Sequence, residues 1–393
     1  MSAASRFTLF CIACFLLSIA YGATFLLSLL VHSFGGSERD AGQVFAVAMV
    51  STLLAVLGSG HLMQRIGAAR SIAVAALCLV AASLGFATVP GLGTALLGCG
   101  VLLGIGWGIF YTLGPIMVAA MVEPARRTHC FALLSGSMLT GIGSGPLLGK
   151  LAALAGLPVQ LAFACAALAA AFSGAYFWRL GAGQEQQRPS EPVHITLAAT
   201  LRVLGSRSAF SILLVGLGGA IFGGLGSFQT SYAASLGLDY SLFFIGFMGA
   251  AICCRLLVAG CVVKRNPYAS SWVLTTLMLV AVLGFGQWVH GSVGYVLTAA
   301  LLGVGYGLNY SVINGLAANE APQRLTAQAL LLFSLAYFIG VFGFPFIAGK
   351  LIGQAGVQGM LHGVWVIAGV VWLVSGGRWL AWRRRGIQWP ASR

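Results

Sequence analysis

A stretch of twelve residues occurs twice in this chain, and that repetition limits what the chain can become. Residues 102–113 read LLGIGWGIFYTL and residues 301–312 read LLGVGYGLNYSV. Six of the twelve positions are identical, five exchange like for like, and one pair differs, Phe110 against Asn309. The offset is 199 in a chain of 393 residues. Self-similarity at half the length means two copies of one unit. Asp40 with Asp239, Pro124 with Pro322 and Pro146 with Pro345 keep that offset to within one residue.

Each copy is built for lipid. Charged residues are 7% and the AVILMFWYC set is 59%, against about 25% charged and about 45–50% apolar in soluble domains. Composition of this kind excludes a soluble globular protein. The nine cysteines lie in or beside apolar runs, and Cys11 and Cys14 have no His or acidic neighbour. They read as small core hydrophobes, so no metal and no cofactor are expected. A helix needs roughly 20 apolar residues to cross the hydrocarbon layer of ~30 Å. On that ruler spans fall at 7–31, 41–63, 71–89, 95–122, 130–153 and 159–178, then at 209–235, 241–263, 270–290, 292–318, 327–352 and 360–381. The first apolar run is too long for a cleaved signal and is read as a span.

The predicted fold class is therefore all-α integral membrane, with twelve transmembrane helices as two six-helix repeats. The first bundle is assigned to 1–180, a cytoplasmic linker to 181–208 and the second bundle to 209–393. Within the linker, 195–204 sets Leu197, Leu201 and Leu204 against Arg202, the pattern of a short interfacial helix. Six spans per copy start and finish on one face, so the copies run parallel about an axis along the membrane normal. With both termini in the cytoplasm, seventeen of the 21 Lys and Arg residues fall inside and three outside, with Arg255 inside a span. That bias orients the chain in the cytoplasmic (inner) membrane. It also explains the net charge of +14 without nucleic acid.

After the second span, Gly60-His-Leu-Met-Gln64-Arg65-Ile-Gly67-Ala-Ala-Arg70 is similar to the loop signature G-x-x-x-D-R-x-G of the major facilitator superfamily. Gln64 stands at the family's acidic position, and Lys264 does so in the degraded repeat Gly260-Cys-Val-Val-Lys264-Arg265. In the fifth span, Gly141-Ile-Gly-Ser-Gly145-Pro146-Leu-Leu-Gly149 resembles the family's antiporter signature, G-x-x-x-G-P-x-x-G. The eleventh span keeps Gly340, Gly343, Pro345 and Gly349. The resemblance covers the whole chain and implies alternating access driven by an ion gradient, with exporters as the nearest subtype. Taken physically, the glycines spaced by four serve close helix packing as readily as a hinge, with Pro146 kinking the helix.

All seven acids (Glu38, Asp40, Glu123, Glu185, Glu191, Asp239, Glu320) sit in loops or at helix ends. Asp40 and Asp239 open spans and read as caps. Glu123 beside Arg126 and Glu320 beside Arg324 are candidate ion pairs of an inner gate. Arg255, the charge well inside a span, either snorkels to the inner surface or meets an anionic substrate group. Tyr306, Tyr310 and Asn309 on the tenth span, and Trp107 and Tyr111 on the fourth, are candidate cavity residues, joined by Tyr21 and Gln229. The unmatched Asn309 favours a cavity, because a buried amide in lipid needs a partner.

The sequence is thus read as a secondary transporter, not an enzyme, that moves a small anionic or zwitterionic organic molecule outward. The alternatives are an organic-anion uptake symporter and a non-transporting sensor or partner subunit. Partners are the substrate, the bilayer and, as the resemblance implies, H+ or another coupling ion; the chain is taken as a monomer.

Overall fold

The computed structural model describes residues 3–122, 127–182, 196–257 and 266–384. Glu123, Pro124, Arg126, Glu185, Glu191, Gly260, Lys264 and Arg265 lie outside the described residues, so the pairing of Glu123 with Arg126 and the loop repeat after the eighth span stay as sequence expectations. The chain divides into two compact units, Met1–Pro192 and Val193–Arg393.

The first unit holds six spans. Helix α1 runs Ala3–Ala23, tightens into a 3-10 turn at Thr24–Leu26 and resumes at Leu27–Ser33; α2 is Glu38–Ile66, α3 Ala68–Thr88, α4 Thr94–Met121, α5 Arg127–Leu154 and α6 Gln160–Ala182. The second unit opens with a short helix, α7 (Leu197–Leu204), and holds the remaining spans. Helix α8 runs Ser208–Ser227 and, after Phe228, Gln229–Ser235; α9 is Ser241–Leu257, α10 Pro267–Gln287 and α11 Ser292–Asn319. Helix α12 starts with Thr326–Phe338 and passes through a π-helical segment, Ile339–Gly343. It reverses into α13 at Ala355 and Gly356, where φ of Gly356 is +65°, and α13 ends at Arg384. The described residues are all helix and connection: ten helices are long and apolar enough to cross a membrane, with α12 and α13 counted as one, and α9 is a shorter apolar helix beside them.

Each unit packs its helices in the same pairs. In the first, α1 lies on α5, α2 on α4, α3 on α4 and α3 on α6; in the second, α8 lies on α12, α9 on α11, α10 on α11 and α10 on α13. The duplicated sequence is what makes the pairs. A Cβ added to Gly104 would stand 2.3 Å from the Ala48 carbonyl oxygen of α2, and one on Gly106 would stand 2.7 Å from that of Ala75 on α3. Their counterparts behave alike: Gly303 would meet the Phe247 oxygen of α9 at 2.2 Å and Gly305 the Leu274 oxygen of α10 at 2.8 Å. Glycines two apart on one helix face two different neighbours, so the G-x-G stretch holds three helices together. Buried hydroxyls add hydrogen bonds between helices: Thr52 Oγ1 of α2 donates to the Gly104 carbonyl of α4 at 3.1 Å, and Ser173 Oγ of α6 donates to the Ala13 carbonyl of α1 at 2.8 Å.

The acids at helix starts are caps. Asp40 closes a capping box with Ser37, accepting the Ser37 N–H at 2.9 Å. Asp239 accepts from the N–H and hydroxyl of Ser241 at 2.9 and 2.8 Å. Each satisfies donors that the first helical turn leaves open.

Close packing of this kind gives a direct test. Gly145→Val places a side chain 2.1 Å from the backbone of Gly22 and is expected to lower stability by about 1–3 kcal/mol or more. Gly136→Ala, in the same helix with no atom within 4 Å of the new Cβ, is expected to leave the melting temperature unchanged or slightly raised. Thermal unfolding of the purified variants in detergent, followed by size-exclusion profile, measures both.

Candidate substrate site and gates

The eight predicted site residues fall into three groups. In the first unit Trp107 is 1% exposed and stacks on Tyr21, with ring centroids 4.3 Å apart at 11°. Tyr111, half-buried one turn along α4, lies 5.8 Å from the same indole. Helices α1 and α4 thus meet through aromatic faces.

In the second unit Arg255 is joined to α11. Its Nε donates to the Gly307 carbonyl at 3.2 Å and its guanidinium carbon lies 5.8 Å from the centroid of Tyr310. Gly307 sits near the middle of a 28-residue helix, so the charge is held at mid-span depth. Tyr310 also meets Phe333 and Tyr337 edge-on, each at 5.6 Å. Tyr306 stacks on Phe222 of α8 at 5.2 Å. Asn309 is buried, and its Oδ1 accepts from Ser271 of α10 at 2.9 Å. The amide found its partner in a neighbouring helix of its own unit. The void bounded by Tyr306, Asn309, Tyr310 and Met278 is about 10 Å³, the lower limit for one water.

Gln229 belongs elsewhere. It opens the second segment of α8, is fully buried, and its Oε1 accepts from Tyr295 at 2.5 Å. Tyr295 precedes Gly307 by twelve residues of α11, or about 18 Å at the helical rise, so Gln229 does not join Arg255. Its Nε2 and the hydroxyls of Thr230 and Ser231 have no hydrogen-bond partner among the described residues.

The predicted gate residues divide as well. Gly67 ends α2 at φ +83°, its N–H bonded to the Met63 carbonyl at 2.8 Å and its carbonyl to the Ser71 N–H at 3.0 Å. This left-handed position explains the glycine of the loop signature. Gly60 lies one turn before Gln64; Gln64, Arg65 and Arg70 are exposed at the turn. The stem of Arg70 crosses Gly181 of α6, where an added Cβ would come within 2.7 Å of its Cγ. Gly141, Gly145 and Gly149 present one face to α1, against Phe15, Gly22 and Leu26. Pro146 lies inside α5, whose helical assignment continues on both sides, while its counterpart Pro345 follows the π-helical segment of α12.

The expected pair of Glu320 with Arg324 is corrected. Arg324 is exposed in the α11–α12 connection, at φ +65°. Glu320 instead pairs with Arg378 of α13, and its other oxygen accepts from Tyr268 of α10 at 2.6 Å. Arg378 also donates to Ser211 of α8 at 3.1 Å. Four helices of the second unit therefore converge on one carboxylate and one guanidinium. Sequence proximity favoured Arg324, but a residue four positions away in a loop turns outward, while α13 delivers Arg378 across the bundle. The signal for it was present, since Arg378 falls inside the predicted span 360–381 yet was counted with the cytoplasmic surface charges.

Both partners are 9% exposed at the side chain. Glu320→Gln would leave the Arg378 charge without its counter-ion, a loss of about 3–5 kcal/mol for a buried pair. A large fall in melting temperature is expected for Glu320→Gln, with at least half of it recovered in the double variant Glu320→Gln/Arg378→Gln, measured by thermal unfolding in detergent.

Comparison with known proteins bears on the whole chain. The Major Facilitator Superfamily model matches residues 8–345. No curated protein matches the chain in sequence. Among solved structures, it is similar to a mutant of the peptide transporter POT in complex with sulfate, at 18% identity and TM-score 0.75, covering 97% of this chain and 94% of that one. It is also similar to the human organic anion transporter MFSD10 (TETRAN), at 17% identity and TM-score 0.66, covering 95% of this chain and 100% of that one. These identities carry the fold. With twelve spans in two like units and the family model matched over most of its length, the chain belongs to the Major Facilitator Superfamily of membrane transporters.

Proposed function

We propose that this transporter exports a small organic anion or zwitterion across the cytoplasmic (inner) membrane by alternating access, drawing on a gradient of H+ or another ion. Both termini lie in the cytoplasm in this reading, as the seventeen-to-three distribution of Lys and Arg requires.

Arg255 carries the proposal. A guanidinium inside a span costs about 2.5 kcal/mol or more, and such residues face a cavity or a partner. The bond to the Gly307 carbonyl, deep in α11, holds the side chain away from the inner surface and speaks against snorkelling. The fork of five N–H donors suits a carboxylate, phosphonate or sulfonate. The substrate would bring the negative charge that this guanidinium meets at mid-span depth. Tyr310, lying against the guanidinium, and Tyr306 beyond it would supply the aromatic wall that orients an organic body. Trp107 and Tyr111 are their counterparts by sequence and are assigned the same role in the first unit. The outward direction rests on the likeness of the fifth span to the antiporter signature. The comparison with an organic anion transporter agrees in substrate class.

Arg255→Ala is expected to lower transport of organic anions at least tenfold while the protein stays in the membrane and monodisperse. The measurement is accumulation of a panel of labelled carboxylates and sulfonates in everted vesicles. Undiminished transport by Arg255→Ala removes Arg255 from the site. Accumulation confined to right-side-out vesicles establishes the uptake symporter instead.

A further inference from the structure

The Glu320–Arg378 pair forms the floor of a cavity that the transport reading does not use. The cavity measures about 380 Å³ and lies within the second unit, lined by Arg207, Phe210, Tyr268, Glu320, Arg378 and Trp382, with Leu373, Gly377 and Ala381 along one side. That volume falls within the roughly 300–1,000 Å³ of small-molecule sites. Arg207 stands immediately before α8 and Arg378 is near the end of α13, so the cavity opens at the end of the bundle where the charge bias places the cytoplasm.

Three observations define what fits. The first is charge. Glu320 neutralises Arg378, while the Arg207 guanidinium is exposed at the rim and its backbone carbonyl accepts from the Phe210 N–H at 3.2 Å. The cavity therefore keeps one net positive charge, the complement of a single phosphodiester. The second is the chemistry of the walls. Phe210 and Leu373 are 47% and 64% exposed on the outside of the bundle. The guanidinium of Arg378 lies between the Phe210 and Tyr268 rings, at 5.7 and 5.5 Å from their centroids. The site is thus cationic at one end and apolar along its length, the polarity of an amphiphile rather than of a free ion.

The third observation is depth. Trp382 stacks on Tyr268 at 6.1 Å, Trp379 on Trp272 at 4.5 Å, and the Arg383 guanidinium lies 5.7 Å from Trp379. Tryptophan, tyrosine and arginine in one band mark the membrane–water boundary. The short helix α7 agrees: Ala199 and Val203 face its neighbours while Leu197, Leu201 and Leu204 point outward, just ahead of Arg207. Basic pockets between membrane helices on the cytoplasmic side suit anionic lipid headgroups.

We propose that this cavity binds an anionic glycerophospholipid, its phosphodiester meeting Arg207 and Arg378 and an acyl chain lying along Phe210, Leu373 and Trp382. Two of the five donors of Arg378 are engaged by Ser211 and Glu320, leaving an edge for the phosphate. Because the same guanidinium ties α8 to α11, the lipid would brace the junction of α8, α10, α11 and α13.

Two variants of the full chain test this without disturbing the buried ion pair. Arg207→Gln removes the rim charge, and Gly377→Leu fills the apolar wall at an exposed position with no atom within 4 Å of the new Cβ. Purified protein in detergent is titrated with phosphatidylglycerol, phosphatidylcholine or inorganic phosphate, and bound lipid is counted by native mass spectrometry beside the melting temperature. The wild type is expected to retain one phosphatidylglycerol and to melt higher with it, with no response to phosphate and at least tenfold weaker binding of phosphatidylcholine. Each variant is expected to bind phosphatidylglycerol at least tenfold more weakly while keeping the wild-type melting temperature of the lipid-free protein. Undiminished binding by either variant, equal binding of phosphatidylcholine, or a response to phosphate alone overturns the proposal. So does a wild type that retains no phosphatidylglycerol, a result that needs no variant to fold.

Discussion

Backbone-to-backbone approach of helices at glycine is the interaction on which the structure depends. In lipid, apolar side chains gain little by leaving one hydrocarbon environment for another, so helices associate through tight packing and through the few hydrogen bonds that packing permits. Gly104 and Gly106 in the first unit, and Gly303 and Gly305 in the second, each bring α4 or α11 against the carbonyls of two neighbours. The aromatic pairs Trp107–Tyr21 and Tyr306–Phe222 add a third neighbour, α1 to α4 and α8 to α11. The antiporter-like glycines do the same for α5 on α1. Their arrangement here is a packing face, on which any rocking motion would have to turn.

The proposed function is concentrated where the two copies differ. By the offset of the repeat, Arg255 corresponds to Val56, a buried apolar residue. Asn309 replaces Phe110, and its partner Ser271 comes from the same unit. The π-helical segment of α12 has no match in α5, which stays α-helical through Pro146. Extra residues in a helical turn shift the side chains that follow, a device often found at functional positions. A duplicated scaffold therefore carries one elaborated copy, and the charge proposed to recognise substrate lies in it.

The second unit is also where charge is buried at an end. One carboxylate, Glu320, gathers Tyr268, Arg378 and through it Ser211, from four helices. An ion pair this enclosed contributes little net stability over an apolar replacement, but it penalises every arrangement that separates its members. It acts as a register for the helices that converge on it, and the cavity above it inherits a defined electrostatic character.

The number of crossings, their grouping into two like sets and the helix-capping acids were legible in the sequence, because they follow from local rules. Hydrophobic length sets a span, and an offset of 199 residues makes a repeat. The caps of Asp40 and Asp239 needed only neighbours within a few residues. Tertiary structure decided everything that required a partner from another helix. Arg378 instead of Arg324 for Glu320, Ser271 for Asn309, Gly307 for Arg255 and Tyr295 for Gln229 are each set by how helices rotate and slide against one another. A linear pattern gives the face of a helix; only packing says which neighbour that face meets.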